Sequence, residues 1–228
     1  MRRLLLVVVI VAIVAVGWTQ CRRLPDRYNP WAPLDLRARP DLFVSYKLHR
    51  LDEDGAACLA ALKQSGATFT TVHDYIGSGG CGWADAVRLT STSVARLEKP
   101  AIVTCPLAAS LVLFDRNTLQ PLAQEMFGQP VASIAHVGSY ACRNIYSEPD
   151  AALSRHARAE AIDVIGFRLG NGRDIRLAND WNRGDDGQFL HDAERRGCHF
   201  FGVILGPDYN AAHRAHFHLE SGSWGWCR

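Results

Sequence analysis

The sequence predicts an α+β domain: helices packed on a small antiparallel sheet that carries a metal site, preceded by an N-terminal membrane segment. Three observations lead there. Stretches with helical apolar spacing and stretches with β-prone alternation are interspersed along the chain. Gly170-Asn171-Gly172 lies between two β-prone runs, and Asn-Gly is a strong hairpin signal that makes neighbouring strands antiparallel. Near the C-terminus His213, His216 and His218 cluster, and residues two apart in a strand share a face, so His216 and His218 project into one site.

From the N-terminus, Met1-Arg2-Arg3 precedes an uncharged apolar run, Leu4 to Trp18, which fits the basic and hydrophobic regions of an export signal. Residues 1–20 are therefore a signal anchor or a signal peptide. Ala15-Val16-Gly17 offers a cleavage spacing, but the run is nearly long enough to span a bilayer, and an uncleaved inner-membrane anchor is the favoured reading. Residues 21–50, with Pro25, Pro30, Pro33 and Pro40, read as an extended periplasmic tether or as a belt packed on the domain. The domain proper is placed at 51–228, its residues 51–95 forming a small disulfide-stapled subregion.

Within it, Asp52 to Gly66 reads as a short capped helix and Thr68 to Ile76 as a β-rich stretch. The glycine-rich loop 77–82 lacks the Lys-Ser/Thr and helix of a phosphate cradle and is read as a turn held by Cys81. Residues 106–127 have helical spacing with a break near Asp115, and Ser133 to Tyr140 is strand-like. Residues 161–177 form two strands around the Asn-Gly turn, with Asp163 in the first. Asp186 to Arg196 is a helix closed by Gly197, and Phe200 to Leu205 is a buried strand.

Composition narrows the class. A chain of 228 residues with 48% hydrophobic residues can bury one sizeable core, and a formal net charge of +2 without a long basic run gives no reason to invoke nucleic acid. No motif names a protein partner. Setting aside Cys21 at the membrane edge, six cysteines remain and no C-x2-C pair occurs, so disulfides of an exported domain are favoured over a cysteine metal site. One bridge is expected between Cys58 and Cys81, stapling the first helix to the loop after its following strand.

The histidine cluster has an upstream counterpart, Ser154-Arg155-His156, followed by Asp163. Two imidazoles and one carboxylate are a common three-ligand set for catalytic zinc, leaving a coordination position for water. His156, Asp163 and His218 are assigned as ligands of Zn2+. Zinc with an open position activates water as a nucleophile, and His216 or His213 then takes its proton and hands it to the leaving amine. Tyr140, Trp181, Tyr209 and Trp224 are candidate groove-lining aromatics. Glu220 is a candidate to orient a histidine from behind.

These residues also carry a resemblance. Ser154-x-His156-x6-Asp163 with His216-x-His218 is similar to the signature of the zinc peptidases that cut peptidoglycan peptides: the D-Ala-D-Ala carboxypeptidases, the penicillin-insensitive murein endopeptidase and their hedgehog-like relatives. More narrowly, Ser139-Tyr140-x-Cys142-Arg143, Ser154-x-His156-Ala157, Ala161-Ile162-Asp163, Leu205-Gly206-Pro207 and His213-Arg214-x-His216-Phe217-His218 resemble the bacterial extensin-like C-terminal family over roughly residues 50–228. The resemblance implies the same three ligands, His216 as the catalytic histidine, and Arg143 as an arginine that steadies the substrate or the developing oxyanion. Where the carboxypeptidases place an acidic base, three residues before the last ligand, this chain has Ala215. That makes endopeptidase action the nearer expectation. The implied activity is hydrolysis of an amide bond in peptidoglycan stem peptides or cross-links, of D,D or L,D type. The alternative is a non-catalytic peptidoglycan-binding or scaffold module with structural zinc.

Overall fold

In the computed structural model, which describes residues 2–21, 24–222 and 226–227, the apolar N-terminal run forms helix α1 (Arg2–Cys21). Its described valines and leucines face outward, Leu6 and Val11 being 58% and 61% exposed. Among the described residues no helix is long and apolar enough to cross a membrane. The expected membrane segment falls partly outside them, since the side chains of Leu4, Leu5 and Trp18 are not among those described.

The proline-rich stretch that follows lies on the domain as a belt. Ala32 and Leu36 are buried, and helix α2 (Val44–Leu51) puts Val44, Leu48 and Leu51 into the main core. Lys47 on the same helix is buried too, its ammonium donating to Asp41 Oδ2 at 2.6 Å and to the Asp26 carbonyl at 2.8 Å. Helix α3 (Gly55–Gln64) starts where Asp54 accepts from the Ala57 amide, at 2.9 Å, satisfying one of the orphan donors of its first turn.

Strand β1 (Thr68–Thr71) leads to a separate two-stranded hairpin, β2 (Tyr75–Ile76) and β3 (Gly82–Trp83). Strands β4 (Ala86–Ser91) and β5 (Arg96–Thr104) follow, then helices α4 (Cys105–Phe114) and α5 (Gln120–Phe127). Strand β6 (Val131–Gly138) returns to the sheet, and β7 (Ala161–Leu169) and β8 (Asp174–Arg176) make the Asn-Gly hairpin. Helices α6 (Leu177–Asp180) and α7 (Gly184–Gly197) precede β9 (Val203–Leu205), β10 (Phe217–Glu220) and β11 (Trp226–Cys227).

The sheet has nine strands in the order β1-β4-β5-β6-β7-β10-β9-β11, with β8 pairing the C-terminal half of β7. It is larger than the small antiparallel sheet expected, and mixed: β5 with β6 and β9 with β11 are parallel. A parallel neighbour needs a long crossover, and the α4–α5 path supplies it between β5 and β6. Every residue of α4 is buried, as expected of a helix apolar on all sides. Leu107, Leu111, Leu113 and Phe114 anchor a core where each such side chain contributes roughly 1.5–3 kcal/mol.

The expected break near Asp115 is a π-helical segment, Asp115–Leu119, joining α4 to α5. Asp115 is fully buried. Its carboxyl oxygens accept from Thr92 Oγ1 (2.5 Å), the Val94 and Ala95 amides (both 3.1 Å) and Gln120 Nε2 (2.6 Å), which satisfies the buried polar group and clamps the helix to the turn between β4 and β5.

All six domain cysteines are paired: Cys58 with Cys105, Cys81 with Cys142, and Cys198 with Cys227. The expected Cys58–Cys81 bridge is therefore wrong. Cys58 lies on the face of α3 packed against α4, whose first residue is Cys105, while Cys81 sits on the outlying β2–β3 arm, within reach of the loop after β6.

Candidate metal centre

Strand pairing builds the centre. In the antiparallel pair β7–β10, His218 stands directly opposite Asp163, so the two side chains leave the sheet on one face. Alternation sends Phe217 to the other face, where it is fully buried and packs edge-on to Trp181 with ring centroids 5.8 Å apart. The third group comes from the turn before β7. Ser154 caps a single helical turn, Arg155–Arg158, and Ala159 closes it in the left-handed region at φ 55°. That reversal places His156 over the start of the strand.

The donor atoms converge. His156 Nε2 lies 3.1 Å from Asp163 Oδ1 and 3.1 Å from His218 Nδ1, and His218 Nδ1 lies 2.9 Å from Asp163 Oδ1. Adjacent ligands of a tetrahedral ion with bonds of about 2.0–2.1 Å stand about 3.3 Å apart, close to these edges. The far side of each ring decides what faces inward. His156 Nδ1 meets the Ser139 carbonyl at 3.2 Å and His218 Nε2 meets Glu220 Oε1 at 2.8 Å. A carbonyl and a carboxylate only accept, so those two nitrogens carry hydrogens, and a ring that holds no second proton turns a lone pair towards Asp163. Such lone pairs, gathered at one point with the Asp163 carboxylate, suit a cation between them. His156, Asp163 and His218 are the group among the described residues that is close enough to hold one.

A proton and a cation compete for the same inward nitrogens. Burial pulls His218 down, but the Asp163 and Glu220 carboxylates hydrogen-bonded to it overturn that and lift it to about 9. Burial likewise pushes Asp163 up, yet bonds from His156 and His218 hold it well below the usual carboxylate range. The pocket draws positive charge strongly.

The other expected site residues surround this triangle. His216, just before β10, brings Nε2 to 3.6 Å from Asp163 Oδ1. His213 lies on a short turn, Ala211–His213, with its ring centroid 5.2 Å from that of His216 and 5.8 Å from that of His218. Burial and the neighbouring histidines push His213 down to about 4, and burial lowers His216 as well, so both are neutral near pH 7. Arg143 lines the same cleft of about 690 Å³, together with Tyr146 and Tyr209. Among the described residues no carboxylate pairs with its guanidinium.

Of the candidate aromatics, Tyr209 reaches this cleft, its ring 5.3 Å from that of His213. Trp181 is core, donating Nε1 to Asp208 at 3.0 Å, and Tyr140 packs on Trp83 away from the triangle. Trp224 lies outside the described residues. Sequence reasoning missed Asn210, whose Oδ1 accepts from the Ala212 amide at 2.9 Å and from His213 Nδ1 at 2.8 Å. An Asn at the start of a turn, three residues before a histidine, is the signal that was there to find.

The profile of the family described as Extensin-like protein C-terminus matches residues 56–228. The chain belongs to that family. No curated protein and no solved structure matches it. The extensin-like region so matched contains all three converging residues, His213, His216, Arg143 and the six paired cysteines. It begins inside α3, whereas the core of this extensin-like domain also draws on Leu36 and α2.

Proposed function

We propose that the domain is a zinc-dependent hydrolase that cleaves an amide bond in peptidoglycan stem peptides or cross-links, acting as an endopeptidase outside the cytoplasm. The observation that carries this is the triangle of converging donor atoms from His156, Asp163 and His218, opening onto a cleft rather than closed within the core. The substrate class rests on the motif resemblance to peptidoglycan peptidases. Three disulfides favour an oxidising compartment, the periplasm, and the apolar sequence of α1 supports export with retention at the inner membrane.

Zinc held by these ligands supplies Lewis acidity for a scissile carbonyl and lowers the pKa of water to about 7. The chain's own groups do the rest. Ser139 and Glu220 fix the tautomers of the two ligand imidazoles. His216, neutral and half-buried, accepts the proton of the attacking water and returns it to the leaving amine, while His213 stands beside it in the orientation set by Asn210. Arg143 brings a fixed charge to the mouth of the cleft, where it binds a substrate carboxylate or the oxyanion as it develops.

One observation favours a second reading. At 3.6 Å from Asp163 Oδ1, His216 lies just outside the three-residue group, and a small turn of its ring would let it close the coordination shell as a fourth ligand, which is how a structural site in a wall-binding or scaffold module is built. Digestion of purified muropeptides with zinc-loaded protein, with and without chelator, tests the hydrolase; products formed only in the absence of chelator are expected, and no products at all would defeat it. His216→Ala separates the readings. In the hydrolase the variant keeps its zinc and loses turnover by about 10²–10⁴-fold; as a structural ligand its loss lowers zinc affinity instead.

A further inference from the structure

Next to the metal cleft lies a second and larger one, of about 930 Å³. The two adjoin at the turn that carries His156, since Arg155, Arg158 and Glu220 line both. One wall of the second cleft is the β2–β3 hairpin. Tyr75 and Trp83 stand across from each other in the hairpin register with ring centroids 4.9 Å apart, and Ile76 at the tip is 94% exposed.

This arm is rigid. Gly82 sits at φ 134° with the Tyr75 carbonyl only 2.1 Å from where a Cβ would be, so the hairpin closes more tightly than another residue permits. Trp83 Nε1 donates to the His73 carbonyl at 3.1 Å, and Cys81 ties the arm to Cys142. Together Tyr75, Ile76 and Trp83 give this braced arm a contiguous apolar face along the cleft, and such a patch marks a contact surface. The opposite wall is polar: Arg155 is paired to Glu160 at 2.7 Å, Asp52 and Ser221 lie nearby, and Arg158 is exposed with no partner among the described residues.

A pyranose ring fits such a pair of walls, because it has an apolar C–H face for stacking and a rim of hydroxyl and acetamido groups for hydrogen bonds. A purely apolar peptide would strip water from the charged wall without replacing it. We propose that the second cleft is a subsite for the amino-sugar strand to which the stem peptide is attached. Substrate then lies across the Arg155–Arg158 turn, its peptide in the metal cleft and its glycan on the Tyr75–Trp83 shelf. The substrate class rests on the hydrolase reading above, while binding at the shelf does not.

Two measurements on the full zinc-loaded chain separate them. In the first, a disaccharide-linked stem peptide and the same peptide without sugar are compared as substrates. A kcat/KM about tenfold higher for the linked form is expected, with Tyr75→Ala and Ile76→Ser each removing the preference and leaving cleavage of the free peptide unchanged. In the second, calorimetry with oligomers of N-acetylglucosamine and N-acetylmuramic acid stripped of peptide reads binding alone. Binding is expected, weakened at least tenfold in Tyr75→Ala and in Arg158→Gln. Oligomers that bind through these residues while no peptide is cut would keep the subsite and defeat the hydrolase. Peptides cut equally well with and without sugar, together with no binding of oligomers, would overturn the subsite and leave the hydrolase standing.

Discussion

Glu220 shows how one side chain sets the state of another. Its carboxylate takes the hydrogen of His218 Nε2 at 2.8 Å and so fixes which nitrogen faces Asp163. Glu220→Gln keeps the shape but can turn its amide N–H towards the ring, freeing His218 to flip its tautomer. Zinc affinity is expected to fall by about 10–100-fold, read by competition with a chromophoric chelator, with the melting temperature of the apoprotein little changed. Glu194 is a different case. Burial, and then the charge of Asp208, pushes its carboxyl up to about 7, and its Oε1 has no hydrogen-bond partner among the described residues. A folded-state pKa raised above the unfolded one means that the native state holds the proton longer. The contribution is complete below about pH 4.5 and is lost as pH rises through about 7. Glu194→Gln removes that loss. The variant should gain on the parent progressively between those limits and by about 1–2 kcal/mol above pH 7.5, a figure discounted because the carboxyl is only half-buried. Urea melts at pH 5 and pH 8 check it; an equal difference at both would refute the assignment.

The β2–β3 arm and the loop after β6 share one tie, Cys81–Cys142, and Arg143 is the next residue along. Cys142 is exposed while its partner is buried, so the bond is open to reductant from one side. Replacing both cysteines by serine lengthens the free path between elements 61 residues apart, which the chain-entropy account values at about 4 kcal/mol, less whatever structure the unfolded chain retains. Under the hydrolase reading a separate loss is expected in kcat/KM, at least about tenfold, because Arg143 is no longer held at the cleft mouth. Zinc binding should persist, since His156, the ligand on that loop, is held separately by the Arg155–Arg158 turn and the Ser139 carbonyl. A variant that cuts as fast as the parent would show that the disulfide does not position Arg143. The π segment is tied in a comparable way. Asp115→Ala leaves the Val94 and Ala95 amides and one Gln120 N–H without their acceptor, while Thr92 keeps the Ala95 carbonyl, and should cost about 3–5 kcal/mol, read by chemical denaturation.

How far the whole molecule was legible in its sequence follows from the range of each signal. The metal triangle was legible because its residues sit in short patterns, His218 in the alternating run that opens at His216 and His156 seven residues before Asp163, and strand pairing needs only to bring the two together. The helix α7, the Asn-Gly hairpin and the strand β6 carry local periodicity and were found within a few residues. Strands β4 and β5 went unassigned, and Pro100 inside β5 argues against a strand there; the sheet tolerates it because β6 pairs only with Arg96 and Leu97 of that strand. Disulfide partners could not be read, since each joins elements that only the folded sheet brings close. The same holds for the belt before the domain. Leu36, Val44, Leu48 and Leu51 are each at most 6% exposed in the main core, although the family match starts only at residue 56. At roughly 1.5–3 kcal/mol apiece, an upper bound because unfolded chains already bury some surface, these four side chains amount to about 6–12 kcal/mol, comparable to the whole stability of a domain. A chain beginning at residue 56 should therefore be soluble only in part and melt at least about 10 °C below one beginning at residue 24, with broadened NMR signals from α3 and α4. Equal melting temperatures for the two chains would mean that the belt is a passenger and that the core closes without it.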